Sequence, residues 1–102
     1  MTWVTDYRFS EPLRDLRSEV QEAEKLRTEL LRELSVGHVL HGVDLSVVAR
    51  ALPQDEVVVE TTDGRVGLVH MTWSGQREPP PWPTTDLLDS AEHLEQTIEF
   101  RY

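Results

Sequence analysis

His38, His41 and His70 are the residues whose chemistry could hold a metal ion or carry a proton. Joined by a carboxylate such as Asp44 or Asp63, their imidazoles would make a three-nitrogen site or a facial triad. The spacing does not require it. Gly37 and Gly42 bracket the first two histidines, which places them in a loop, and no H-x-x-x-H or H-E-x-x-H stands in the chain. Local hydrogen bonding or solvent exposure is the competing reading for all three. His70, Thr72 and Ser74 share one side of an extended segment, a histidine beside two hydroxyls. Same-face neighbours on a strand are about 7 Å apart, beyond the reach of a nucleophile and its base, and Ser74 lacks a glycine-framed elbow. The acid pairs Asp55-Glu56 and Glu22 with Glu24 fall in a turn and on a helix surface, where carboxylates are solvated. Without cysteine there is no thiolate nucleophile, thiolate zinc site or disulfide. No catalytic residue, metal or cofactor is therefore assigned. A small enzyme or metal- or ligand-binding protein centred on His38, His41 and His70 stands as an alternative.

Binding chemistry is better represented. Trp73 ends an alternating apolar segment, and Trp82 sits inside Pro79-Pro80-Pro81-Trp82-Pro83. Prolines stiffen such a loop, as polyproline II or irregular chain, and tryptophan offers rigid amphipathic area for a partner. Trp73, Arg77, Glu78 and Trp82 form the candidate interaction surface. The competing reading has Trp82 folded back over the sheet to pin the loop.

The elements that must position these residues follow from periodicity. Residues 1–9 read as an N-terminal arm. Ser10 as N-cap and Pro12 in the first turn open a helical segment over 10–36, with the helix proper at 11–35. Its apolar stripe runs Leu13, Leu16, Val20, Ala23, Leu26, Leu30, Leu31 and Leu34, and Gly37 stands at its C′ end. Charge pairs Glu22 with Lys25, Glu24 with Arg27, Lys25 with Glu29 and Glu29 with Arg32 lace its outer side. The stripe also approximates heptads, so a homodimer or oligomeric scaffold through helix 11–35 is an alternative to packing on the chain's own sheet.

Segment 37–73 switches to a period of two and predicts an antiparallel meander. Strands are expected at 47–52, 56–61 and 65–73, with a turn at Pro53-Gln54-Asp55 and a hairpin at Asp63-Gly64. Both faces of the third strand are apolar. The second face is expected to lie under the C-terminal segment, the N-terminal arm or another copy. After the loop at 74–84, Thr85-Asp86-Leu87-Leu88 reads as a short fourth strand within the last segment, 85–102. Asp89 with Glu92 opens a short C-terminal helix that buries Ala91, Leu94 and Ile98. The expected fold is one α+β domain over 1–102: long N-terminal helix, three- to four-stranded antiparallel meander, short C-terminal helix.

Charge narrows the partners. The net charge is −9, and acidity grows along the chain, from −2 over residues 1–36 to −4 over 75–102. That balance opposes nucleic acid, whose binders need a basic stripe; it either simply keeps the protein soluble or steers a basic protein partner through its long-range field. No apolar run approaches the ~20 residues of a membrane span, and residues 1–6 carry no secretory pattern, so a cytoplasmic location is expected.

Gly37-His38-Val39-Leu40-His41-Gly42, Val69-His70-Met71-Thr72-Trp73-Ser74 and Pro81-Trp82-Pro83 together resemble a pattern of small uncharacterised bacterial proteins. In these a long helix leads to G-H-x-L-x-G, a hairpin, V-H-L-T-W-S, P-x-W-P-x-T and an acidic last helix. Met71 replaces the commoner leucine there, a volume-conserving change. The resemblance implies the order of elements and brings no activity. The leading reading is a small acidic protein-interaction module, immunity- or antitoxin-like, that neutralises a basic partner.

Overall fold

A computed structural model describes residues 2–51 and 55–102. After a 3₁₀ turn at Trp3–Asp6 come β1 (Leu13–Asp15), α1 (Val20–Glu33), β2 (Leu45–Ala51), β3 (Glu56–Thr61), β4 (Val66–His70), β5 (Thr85–Leu87) and α2 (Ala91–Arg101). All five strands join one antiparallel sheet in sequence order. The α+β class holds, with one strand more than expected and a shorter first helix. No helix among the described residues is long and apolar enough to cross a membrane.

The sheet is covered on both faces, which explains why β3 carries three consecutive valines. Val57 and Val59 point to the α1 side with Leu16, Leu26, Leu30, Leu34 and Leu40. Val58 points the other way, with Leu68, Leu88, Leu94 and Ile98, against Val4 and the partly buried Trp3, Tyr7 and Phe9. The C-terminal segment and the N-terminal arm thus cover the second face together. Burying a leucine of α1 stabilises by roughly 2 kcal/mol, against a few tenths for an exposed helical ion pair, so the leucines hold α1 in place. Of the expected charge pairs, Glu24 with Arg27 and Glu29 with Arg32 form, whereas Glu22 reaches Arg14 and Arg50 instead.

The helix expected over 11–35 begins only at Val20. Leu13 lies in β1 opposite Ala51 and is buried on the α2 side, while Leu16 is buried on the α1 side. Their spacing of three, read as helical, instead sends them to opposite faces of the sheet. Arg17 fixes this path: its backbone and side chain bond Asp15, its guanidinium donates to the carbonyls of Val4 and Tyr7 (both 2.6 Å), and it stacks over Phe9. At 14 residues α1 spans about 21 Å and does not overhang a molecule of 31 × 27 × 26 Å. Leu26, Leu30 and Leu34 of the proposed dimer seam pack on the chain's own sheet. Gly37 takes φ +98°, but in the turn beyond the helix, whose C-cap is Leu34.

Smaller departures have local causes. β2 starts at Leu45, two residues earlier than expected, and contains a bulge: Val47 pairs with Val59 but Ala49 with Val58. The extra residue exchanges faces, so Leu45 and Val47 face α1 whereas Ala49 and Ala51 face α2. Leu52 and the turn expected at Pro53-Gln54-Asp55 lie outside the described residues, Asp55 excepted. The hairpin at Asp63-Gly64 forms, with Gly64 at φ +89° and Thr61 N–H donating to the Arg65 carbonyl. β4 ends at His70, not Trp73. α2 is capped by Ser90, whose hydroxyl accepts from His93 N–H (3.1 Å), in place of Asp89, and Ala91 is only half-buried.

Candidate functional site

The structure separates the three histidines. His38 is buried at 7% exposure, and its Nδ1 accepts from Leu40 N–H (3.0 Å). Nε2 therefore carries the proton and donates to the Pro83 carbonyl at 2.7 Å, tying the turn after α1 to the end of the proline loop. His41 and His70 are exposed. Among the described residues no three His, Cys, Asp or Glu side chains form a group that could hold a metal ion. The site drawn from His38, His41 and His70 does not assemble. The hydroxyls near His70 close a local turn: Thr72 Oγ1 donates to Ser74 Oγ, which donates to the Gln76 carbonyl.

The loop at 74–83 is fastened along its length to the C-terminal end of α1. Glu33, fully buried, receives Thr72 N–H on Oε1 and Trp73 N–H on Oε2, each at 3.0 Å. One turn earlier, Glu29 Oε2 accepts from Gly75 N–H (3.0 Å). Glu78 N–H donates to the Glu33 carbonyl and its own carbonyl accepts from Ser35 Oγ (2.7 Å). Arg77 donates to the Leu34 carbonyl (3.4 Å), placing a cation on the negative end of the helix. Pro79 to Trp82 closes as a turn, Trp82 N–H to the Pro79 carbonyl at 3.0 Å, in place of the extended polyproline path.

These bonds force an unusual backbone. Trp73 takes φ +59°, a left-handed conformation that costs a bulky L-residue roughly 1–2 kcal/mol. Trp73 is nevertheless 42% exposed, and Trp82 is 48% exposed. Neither tryptophan is folded into the core, and the Glu33 amide bonds hold the strained residue from below. Burial pushes the Glu33 carboxyl up from its ordinary range; the Thr72 N–H opposes this and the neighbouring Glu29 carboxylate adds to it.

Glu33 was not singled out by sequence reasoning. The available signal was its place on the apolar side of α1, three residues after Leu30 and seven after Leu26, where a charge needs an internal partner. Arg77 and Glu78, expected in a recognition surface, make backbone contacts that brace the loop, while the two tryptophans supply its exposed apolar area. No family model matches the chain, and neither a curated protein nor a solved structure matches it.

Proposed function

We propose that this protein is a non-enzymatic interaction module that binds a basic protein partner through the tryptophan-bearing loop at 74–83 and the adjoining Trp73, in the manner of an immunity or antitoxin-like neutraliser. The observation that carries the reading is Trp73: a half-exposed tryptophan in a left-handed conformation, held by two amide bonds to a fully buried glutamate. Strain and a buried charge are both unfavourable, and together they present an aromatic side chain to solvent on a braced loop. A braced loop loses little entropy on binding, and exposed tryptophans are typical anchors of interfaces. Net charge of −9 supplies long-range attraction for a basic partner.

The test is affinity capture with the wild type, Trp73→Ala and Trp82→Ala. A partner rich in Lys and Arg, recovered by the wild type and lost by both variants with their circular dichroism unchanged, supports the reading. Equal recovery by all three proteins removes the loop from recognition.

A further inference from the structure

β5 is one of the two outer strands of the sheet, and its free edge is well furnished. Leu88 N–H donates to the Val66 carbonyl and His70 N–H to the Thr84 carbonyl, while Asp86 lies opposite Leu68. In an antiparallel ladder this pattern turns the N–H and C=O of the intervening residues, Thr85 and Leu87, away from β4. Two hollows flank that edge. On the α2 side, one of about 780 Å³ is walled by Leu87, Gln96, Thr97 and Phe100. On the side of the turn after α1, one of about 450 Å³ is walled by Gly37, Val39, Pro80 and Pro81. Thr85, Asp86 and Arg101 line both. Phe100 is 93% exposed, and Val39 and Leu87 are 45% and 40% exposed.

An open edge with a hollow on either side is the geometry of strand addition: the added backbone pairs with Thr85 and Leu87, and its alternate side chains fall into the two hollows. Charge selects the occupant. Asp86, at the middle of the edge, is paired with Arg101, but Asp89, Glu92 and Glu99 follow it, and residues 75–102 carry six acids against two bases. A second copy would bring this net-acidic segment against its own like charge, which opposes self-pairing. We infer that the β5 edge docks an extended segment of the basic partner, alternating apolar side chains with Lys or Arg, as a sixth strand. This inference rests on the interaction reading above and adds a second contact to it.

A phage-displayed library of random peptides, selected on the full chain and counter-screened on variants, tests it. Leu87→Pro removes an edge donor that β4 does not use. Phe100→Ser strips one hollow at a position exposed enough to spare the fold. Selected peptides should alternate apolar and basic residues, protect the Thr85 and Leu87 amides from hydrogen exchange, and lose at least about tenfold in affinity with either variant. Peptides that bind Leu87→Pro and Phe100→Ser undiminished overturn the edge site; if they are lost with Trp82→Ala, the loop reading survives alone. Peptides lost with Leu87→Pro but kept by Trp82→Ala support the edge as a contact separate from the loop. No enrichment over bare support, or edge protection that depends only on protein concentration, as a self-paired dimer would give, overturns the inference.

Discussion

Glu33 and Glu56 are both withdrawn from solvent, at 0% and 1% exposure, yet they are answered by different groups. Glu33, at the end of α1, meets backbone amides of Thr72 and Trp73. Glu56, at the start of β3, meets side chains from the C-terminal end of α2: the Arg101 guanidinium, which also pairs with Asp86, and the Tyr102 hydroxyl at 2.9 Å. The difference separates two uses of a buried carboxylate. Amide partners fix the path of a chain, here an exposed loop with a strained tryptophan. A cationic partner docks an element, here α2 against the sheet, and any well-packed contact of the same shape could do that work.

The strongest way to break the comparison is to strand Glu56. Arg101→Ala leaves a buried carboxylate with one hydroxyl for company, and a loss of about 3 kcal/mol is expected, discounted for the partial exposure of Arg101. Urea unfolding measures it. Joint replacement of Glu56 and Arg101 by methionine should recover most of that loss, since the pair docks by packing as well as by charge. A double variant as unstable as Arg101→Ala would show that the ion pair itself is required.

Glu33→Leu should cost less, about 2 kcal/mol, because it leaves two neutral amides unpaired and no stranded charge. Its distinctive mark is local: freed from its amide bonds, Trp73 should relax and change its fluorescence emission, whereas Arg101→Ala should leave Trp73 emission as it was. Identical spectral changes in both variants would dissolve the distinction between loop-fixing and helix-docking carboxylates.

The contrast also has a pH form. Glu33 binds its proton more tightly when folded than when unfolded, burial being the main cause. Its contribution to stability is complete below the ordinary glutamate value of 4.5 and is lost as pH rises through the raised folded value. Glu22, held low by Arg14 and then by Arg50, behaves oppositely: its contribution is present above the ordinary value and is lost as pH falls through the depressed one. Relative to the wild type, Glu33→Gln should therefore gain stability as pH rises above 4.5, whereas Glu22→Gln should fall behind as pH rises toward 4.5 from below and hold level above it, so the informative range spans both sides of 4.5. Urea midpoints measured across that range check the two slopes, and slopes of the same sign would refute the assignment.

Much of the scaffold for these sites was legible in the residues themselves. The two apolar faces of the segment from Val66 to Trp73 announce a sheet covered on both sides, and Asp63-Gly64 announces the hairpin. Residues 11–19 misled because Leu13, Leu16 and Val20 have helical spacing, while the bonds that override it run from Arg17 to carbonyls ten and thirteen residues away. The bulge at Val48 leaves no mark in an apolar run. The exposed tryptophans were visible as candidates. What holds them was not, because a glutamate among leucines discloses a need for partners without disclosing which amides answer.

The smallest expected effect bears most directly on the loop. If Trp73 is held left-handed for the sake of its exposed indole, glycine there should relieve strain that alanine retains. Trp73→Gly should then be more stable than Trp73→Ala by about 1 kcal/mol, although glycine is ordinarily the less stable of the two in ordered chain. Both lose the indole equally, so the difference isolates the backbone. Equal stabilities, or alanine ahead, would mean that Trp73 relaxes to an ordinary conformation once its side chain is cut, and that the indole itself imposes the geometry. With glycine ahead, the strain belongs to the path that Glu33 dictates, and the tryptophan is presented by it.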